Sequence, residues 1–595
     1  MTRSELLGRL RAPGLKLGTV SGVLTTRPRL IEWADANLPE IELITTKSYQ
    51  VRPNPGNREP ILVEPQAGCF GNAVGLRNPG VSEGLRELEA LRRGRKLRCL
   101  LAVSLSADCV EDFVLLARRF TAVADLLELN FSCPHARAGY GSAIGADAEA
   151  VRDFVRAIRR ATPAPLFAKL TPNVADIGAI ALAAVTAGAD GIAAINTLGP
   201  EVFREPLTGL PVLSNPNGHK GGKSGRWIRE TALRAVAEVR RAVGPEVPIL
   251  GMGGVATGED ARNLAAAGAD VVGIGSAFAR VARQSGWPGY LRALKADALG
   301  GGREAETFLA RRSKMEYRAF RVSEARDLSG GLRLLRLDGE LGARAGEFAF
   351  LFLPGIGEKP FSVARTSPLS FLVRRRGAFT EGLFRLAAGE RLWVRGTYGA
   401  PAPVSRHPQA YLVAGGTGLA VVPSLAAMLR ERGKRVELYY GVFEAQEGSA
   451  LEALGLDRDI ASLCVPDSGR PGRVLEVMAE ELTGRGPAAA RSAGFYNIGP
   501  HPFIEKAMQV EEGLGADPAD IFTCLETLTM CGVGLCGGCE CGGRLLCKEG
   551  TFVSLQYLRA AGVSLSELDA STSAPGAKKS SRRTAARPAA ASTAR

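Results

Sequence analysis

The sequence predicts an α/β protein: a (β/α)8 barrel, then an antiparallel β-barrel, a second α/β domain and a small cysteine-rich domain. Three observations predict it. Eight short β-type runs alternate with helix-patterned segments between Lys16 and Ala277, the signature of a (β/α)8 barrel. From Tyr317 to Val404 the pattern becomes period-two strands with glycine turns, which reads as antiparallel sheet. Cys531, Cys536, Cys539, Cys541 and Cys547 crowd into one short stretch, which in a reducing compartment favours metal ligation over disulfides.

The eight runs are Lys16–Val20, Ile41–Ser48, Leu97–Leu105, Leu126–Ser132, Leu166–Thr171, Gly191–Thr197, Pro248–Gly253 and Val271–Ser276. Asp147–Ala161, Asp176–Ala187 and Arg226–Val243 are helix-patterned. In this fold the site lies at the C-terminal ends of the strands, and the polar residues fall there. Lys47 ends the second run, Asn130 and Cys133 the fourth, Lys169 the fifth, and Asn196 with Thr197 the sixth. Pro134 stops the fourth strand because it has no N–H to donate. Read alone, Cys133 is more readily a buried structural cysteine than a reactive one; the other rim residues turn it toward chemistry. Strands seven and eight end in Gly251-Met252-Gly253-Gly254 and Gly273-Ile274-Gly275-Ser276, where bare N–H groups can approach a phosphate.

Composition limits the remaining classes. The 595 residues are 46% hydrophobic, and no uninterrupted apolar run is long enough to span a bilayer. Met1 to Leu17 has no signal-peptide core, so a soluble, cytoplasmic protein is expected. The net charge is +14, but the Ala/Ser/Pro-rich tail 571–595 holds six basic residues and no acidic ones, so it is expected to be disordered. Without it the chain carries an ordinary +8, and nucleic-acid binding is not expected.

The first half resembles the catalytic subunit of class 1B dihydroorotate dehydrogenases. The resemblance is carried by Thr46-Lys47-Ser48, Gly71 to Gly80, Asn130-Phe131-Ser132-Cys133-Pro134, Lys169 to Asn173, Ile195 to Leu198, Gly222 to Gly225 and Gly251 to Gly254. It implies FMN in the barrel, held by Lys47, Asn130, Lys169, Ile195 and Asn196. Ser21, Gly22, Ser224, Gly225, Gly253, Gly254, Gly275 and Ser276 would complete the flavin site. It implies a pyrimidine held by Lys47, Asn72, Val74, Gly75, Leu76, Asn130, His135, Asn196 and Thr197, with Cys133 as the base. The family usually has Asn where His135 stands; Cys-Pro-His resembles dihydropyrimidine dehydrogenases instead.

Leu525-Glu526, Met530-Cys531-Gly532 and Cys547-Lys548-Glu549-Gly550 in the second half resemble the electron-transfer subunit of the same enzymes. Lys359-Pro360-Phe361-Ser362 with Gly377 and Thr380 resembles the FAD domain of ferredoxin reductase-like proteins, with Lys359 where the family usually has Arg. The strand Ala410–Ala414, the turn Gly415-Gly416-Thr417-Gly418 and a helix Ala420–Arg430 form a dinucleotide pattern for an NAD-binding domain. Cys531-x4-Cys536-x2-Cys539 with Cys547 matches the plant-type [2Fe–2S] spacing. A zinc site fits four thiolates less well, since such sites are usually paired Cys-x2-Cys knuckles. Cys541 competes with Cys547 as fourth ligand, and the family resemblance favours Cys547.

The expected organisation is therefore 1–312 FMN barrel, 313–405 FAD-binding β-barrel, 406–520 NAD-binding α/β domain, 521–570 [2Fe–2S] domain and 571–595 basic tail. The expected reaction is oxidation of dihydroorotate to orotate in pyrimidine biosynthesis, with electrons passing from FMN through [2Fe–2S] and FAD to NAD+. The alternative is an NAD(P)H-dependent dihydropyrimidine dehydrogenase acting on uracil or thymine. The family implies a homodimer through the barrels.

Overall fold

The computed structural model describes residues 1–131, 144–467, 470, 472–566 and 568. Cys133, His135 and the tail 571–595 lie outside the described residues.

The eight runs form eight parallel strands: Lys16–Thr19, Ile41–Thr45, Leu100–Leu105, Leu126–Asn130, Leu166–Leu170, Gly191–Ala194, Ile249–Met252 and Val271–Ile274. They close into a barrel in which the first strand pairs with both the second and the eighth, Leu17 opposite Ile41 and Lys16 opposite Val271. Both faces are covered, so almost every strand residue is buried and the strands read as apolar runs. Most strands stop one to three residues before the run does, which leaves Lys47, Asn196 and Thr197 beyond the ladder, while Asn130 and Lys169 pair at its end. The barrel interior packs Leu43, Leu100, Leu126, Phe167 and Leu250 against Leu6 and Leu10 of the helix Arg3–Arg11, which closes the floor. That helix starts on a Thr2–Glu5 capping box.

The outer helices begin where short acceptors can cap them. Asp147 accepts from Glu149 N before Ala148–Ala161, and Asp176 accepts from Ala179 N before Ile177–Thr186. Arg229–Val243 ends on Gly244 at φ 78°, a left-handed conformation that favours glycine. The sequence reading missed a four-stranded antiparallel sheet, Leu62–Gln66, Cys69–Asn72, Lys220–Gly225 and Leu198–Val202, in that spatial order. Two of its strands are glycine-rich or half exposed and show no alternation. The sheet sets Asn72 opposite Gly222.

The expected antiparallel barrel is a seven-stranded antiparallel sheet whose edge strands, Gly357–Ser362 and Arg365–Thr366, are not paired with each other. Next comes a six-stranded sheet in the order Ala461–Pro466, Arg435–Val442, Gln409–Gly415, Ala493–Ile498, Ile521–Cys524 and Phe552–Ser554. The first five are parallel and the last is antiparallel. The cysteine-bearing segment leaves this sheet after Cys524 and rejoins it at Phe552.

That segment docks on the barrel through specific hydrogen bonds. Gln284 donates to Gly543 O at 2.8 Å and accepts from Leu545 N at 2.7 Å. Buried Lys548 donates to the carbonyls of Ala279 (2.8 Å) and Val281 (2.6 Å). On its other side Arg395, paired with Glu358 at 2.7 and 2.6 Å, donates to Cys531 O at 3.1 Å. Both members of that ion pair are wholly buried, so removing either would leave an uncompensated charge, which costs about 3–5 kcal/mol. No helix among the described residues is long and apolar enough to cross a membrane.

Candidate active site

The rim of the barrel encloses a cavity of about 560 Å3. Ser21, Gly22, Lys47, Asn72, Val74, Gly75, Leu76, Asn130, Lys169, Ile195, Asn196, Thr197, Ser224, Gly225, Gly253, Gly254, Gly275 and Ser276 all line it. Every rim residue singled out in the sequence, apart from Cys133 and His135, therefore faces one space. Asn130, the last residue of its strand, donates to Ser48 Oγ at 2.9 Å, and Ser48 meets Ser104 Oγ at 2.9 Å. Asn196 Nδ2 reaches Asn130 Oδ1 at 3.5 Å, and Asn72 Nδ2 donates to Gly222 O at 3.1 Å. These bonds orient three amides toward the cavity before any ligand arrives. The Thr197 hydroxyl is buried and has no partner among the described residues.

Gly75 and Leu76 both have positive φ, 77° and 55°. Such a conformation is uncommon for leucine. The Asn57 amide, which donates to Ala73 O at 2.8 Å, and Asn78, which donates to Leu76 O at 2.8 Å, hold the loop there.

Two lysines reach the cavity. Lys169 lies 3.4 Å from Glu128 on the neighbouring strand, and both are buried. Burial, aided by the nearby Arg27, pushes Lys47 down to about 8, so it is still mostly protonated at pH 7. Burial pushes the Glu87 carboxyl on the same wall up.

The opposite wall comes from the far end of the chain. Leu528, Met530, Cys531, Leu535, Cys536, Gly537 and Gly538 line the same cavity. Sequence reasoning missed this wall, and with it Thr26, Arg27, Arg77, Glu83 and Glu87. Arg77 stood within the quoted Gly71–Gly80 segment, but nothing local marks what it faces. Of the thiols, Cys531 accepts from Cys536 and Cys547, which holds it well below the usual thiol range while those two rise. Cys547 also bonds Cys539. The backbone repeats the pairing: Cys536 N meets Cys531 Sγ, and Cys547 N meets Cys539 Sγ, each at 3.5 Å. Cys541 instead sits in a two-residue hairpin strand opposite Arg544.

A second cavity, of about 400 Å3, opens where the three sheets' loops meet. Lys359, Pro360 and Thr417 line it, with Arg376, His501 and the segment Glu526–Thr529. Phe361, Ser362, Gly377, Thr380, Gly415, Gly416 and Gly418 are beside these residues in sequence but are not on its wall. The Thr380 hydroxyl is engaged in the cap of the helix Ala378–Arg385, accepting from Gly377 N at 3.0 Å. A Cβ at Gly418 would lie 2.2 Å from Ile498 O, so that glycine serves close packing of the turn on the next strand. Glu59 of the barrel also reaches this cavity and accepts from Lys359 Nζ at 2.9 Å. Leu528 borders both cavities.

Comparison with known proteins bears on the first half. The family model for dihydroorotate dehydrogenase matches residues 16–284. The catalytic subunit of dihydroorotate dehydrogenase B (NAD(+)) of Methanocaldococcus jannaschii is 41% identical over 234 residues, which is 39% of this chain and 74% of that protein. The corresponding subunit of Methanothermobacter thermautotrophicus is 42% identical over 235 residues, 40% of this chain and 74% of its own. That of Pyrococcus abyssi is 39% identical over 257 residues, 43% and 81% respectively. With this extent of identity over a barrel whose rim residues converge on one cavity, the chain belongs to the dihydroorotate dehydrogenase family and is an oxidoreductase.

Proposed function

We propose that the chain oxidises dihydroorotate to orotate and reduces NAD+, with the flavin barrel and its electron-transfer module joined in one polypeptide. One observation carries this reading: the amides and lysine of the barrel rim and the thiols of Cys531 and Cys536 face a single space. When bound, FMN supplies a hydride acceptor, a [2Fe–2S] centre a one-electron step, and FAD a hydride donor to NAD+.

The residues suit these groups. Backbone at Gly253, Gly254 and Gly275, beside Ser276, forms a wall without side chains where the FMN phosphate would lie. Lys359 and Thr417 in the second cavity suit the FAD pyrophosphate. A single tetrahedral zinc would bring all four sulfurs to roughly 3.8 Å of one another. Among the described residues no three of these sulfurs lie within 4.8 Å of each other, whereas the pairs Cys531/Cys536 and Cys539/Cys547 suit two irons. That pairing favours Cys547 over Cys541.

The chain's own residues account for the substrate chemistry. A dihydropyrimidine becomes a pyrimidine by losing a proton from C5 and a hydride from C6. Lys47 would pair the C6 carboxylate, and Asn72, Asn130 and Asn196 would hold ring carbonyl and N–H groups. Thr197 has a hydroxyl to spare. Cys133, three residues beyond Asn130, would take the C5 proton; a thiol at its ordinary pKa of roughly 8.5 needs a cation nearby to do so at pH 7. A cytoplasmic homodimer through the barrels belongs to the same reading.

The test is anaerobic flavin bleaching followed by steady-state turnover with NAD+. Dihydroorotate should exceed dihydrouracil and dihydrothymine by at least ~10²-fold in kcat/KM, because without the carboxylate Lys47 is left unpaired. Equal or better use of the neutral compounds would move the chain to the dihydropyrimidine reading that His135 suggests.

A further inference from the structure

We infer that the barrel half, through Thr26, Arg27 and Arg77, sets the reduction potential of the centre held by the cysteine loop; this rests on the iron–sulfur reading above. The first observation is contact. Gly537, next to Cys536, adopts φ +66°, and a Cβ there would fall 1.7 Å from Thr26 Oγ1. The first βα loop of the barrel is thus pressed against the turn that carries Cys536. Arg77 Nη1 touches Met530 Sδ at 3.3 Å, one residue before Cys531.

The second observation is charge. Arg27 and Arg77 line the cavity together with Cys531 and Cys536, and among the described residues neither is within ion-pair distance of a carboxylate. The nearby acids have other partners or are buried. Glu83 is bonded to Arg86 at 2.9 Å, Glu59 to Lys359 at 2.9 Å, Glu540 accepts from Gly543 N at 2.7 Å, and burial raises the Glu87 carboxyl while Arg27 opposes that rise. Cations drawn into a cavity without a counter-charge are costly unless an anion comes to face them. The third observation is an orphan: beside the same turn, the buried Thr26 hydroxyl has no hydrogen-bond partner among the described residues.

A centre on four thiolates is an anion and gains one further negative charge when it takes an electron. Net charge and hydrogen bonds to the sulfurs are what set its potential. The reduction is a single electron drawn from the substrate-reduced barrel flavin; no bond forms or breaks. Two guanidiniums and one hydroxyl beside Cys531 and Cys536 favour the reduced form. They are supplied by the half of the chain that delivers the electron, so the centre would be a good acceptor only when docked on the barrel.

The test is an EPR-monitored redox titration of the full-length holoprotein, with iron and acid-labile sulfide assayed in each sample. At the wild-type midpoint, the reduced-to-oxidised ratio should fall from one to about one tenth in Arg27→Gln/Arg77→Gln, equivalent to 59 mV for a one-electron couple. Thr26→Val should give a smaller fall, and Arg77→Lys, which keeps the charge, should stay near one. If the double variant fails to load the centre, Arg77→Gln against Arg77→Lys decides. An unchanged midpoint at full iron content would overturn the inference, and a loss of orotate affinity in its place would assign the arginines to substrate. Wild-type protein without iron and sulfide would overturn the iron–sulfur reading itself, and this inference with it.

Discussion

The two cavities differ in how they are built. The barrel cavity is walled on one side by residues at the ends of parallel strands, whose amides are already tied to one another and to Ser48, and on the other by the cysteine-bearing segment. The second cavity lies among loops from three sheets, and its lysine is held by a carboxylate from the barrel, not by its own domain. A closed barrel dictates where the ends of its strands go, so the first cavity is prepared by topology. The second exists only because separate folding units meet. Substitutions at the strand ends of the first should therefore act locally, and those in the second should depend on the partner half.

The largest expected effect tests the local side. Cys133→Ser should bind FMN normally but slow its reduction by dihydroorotate by roughly 10²–10⁴-fold near pH 7, the scale of general-base catalysis. Stopped-flow bleaching measures this. Reduction of the second flavin by NADH should be untouched. Near-wild-type bleaching would make Cys133 a packing residue, and a loss at both flavins would break the distinction between the cavities.

A smaller effect tests the shared side. Lys359→Ala should weaken FAD retention about tenfold, the low end for a hydrogen bond to a charged group, since this lysine is half exposed. Glu59→Gln, far away in sequence, should tighten FAD retention by releasing Lys359. In the Lys359→Ala background the Glu59 substitution should do nothing, because its effect runs through that one contact. FAD fluorescence on dilution gives all three numbers. Additive effects would mean that the barrel does not reach into the second cavity energetically.

The same contrast explains what could be read from the sequence. The eight barrel strands were legible because strands buried on both faces must be apolar runs. Lys47, Asn130, Lys169 and Asn196 were legible because the fold puts strand ends in one place. The Leu62–Gln66 to Leu198–Val202 sheet was not, since Lys220–Gly225 has neither alternation nor β-branched residues. Arg77 could be seen but not interpreted: its neighbour Met530 is 453 residues away. Thr26 is the extreme case, an ordinary loop threonine whose hydroxyl matters only because Gly537 arrives beside it. In the second half, the glycines at 415–418 suggested a nucleotide turn, yet Gly418 is also required by the backbone of Ile498. Local pattern could not separate the two roles.

The smallest effect concerns a group that neither cavity uses. Glu511, on the helix His501–Gly513, is wholly buried, and burial holds its carboxyl well above the usual range. Asn497 on the adjacent strand donates to its Oε2 at 2.8 Å, while Oε1 has no partner among the described residues. The folded chain therefore keeps a proton that the unfolded chain releases above about pH 4.3. For such a group the native state binds more protons, so its contribution to stability is complete below the unfolded pKa and declines as pH rises toward the folded one. Glu511→Gln keeps the shape and a hydrogen-bonding partner for Asn497 but has no proton to lose. Wild type and variant should melt alike below about pH 4. At pH 8 the variant should melt higher, by about 2–4 °C for each kcal/mol recovered in a unit of this size. Both cavities should be unaffected, with flavin content and dihydroorotate bleaching the same in wild type and variant at pH 8. A melting difference that does not change with pH would mean that Glu511 is ionised in the fold, and that its unpaired oxygen is met by a donor such as buried water.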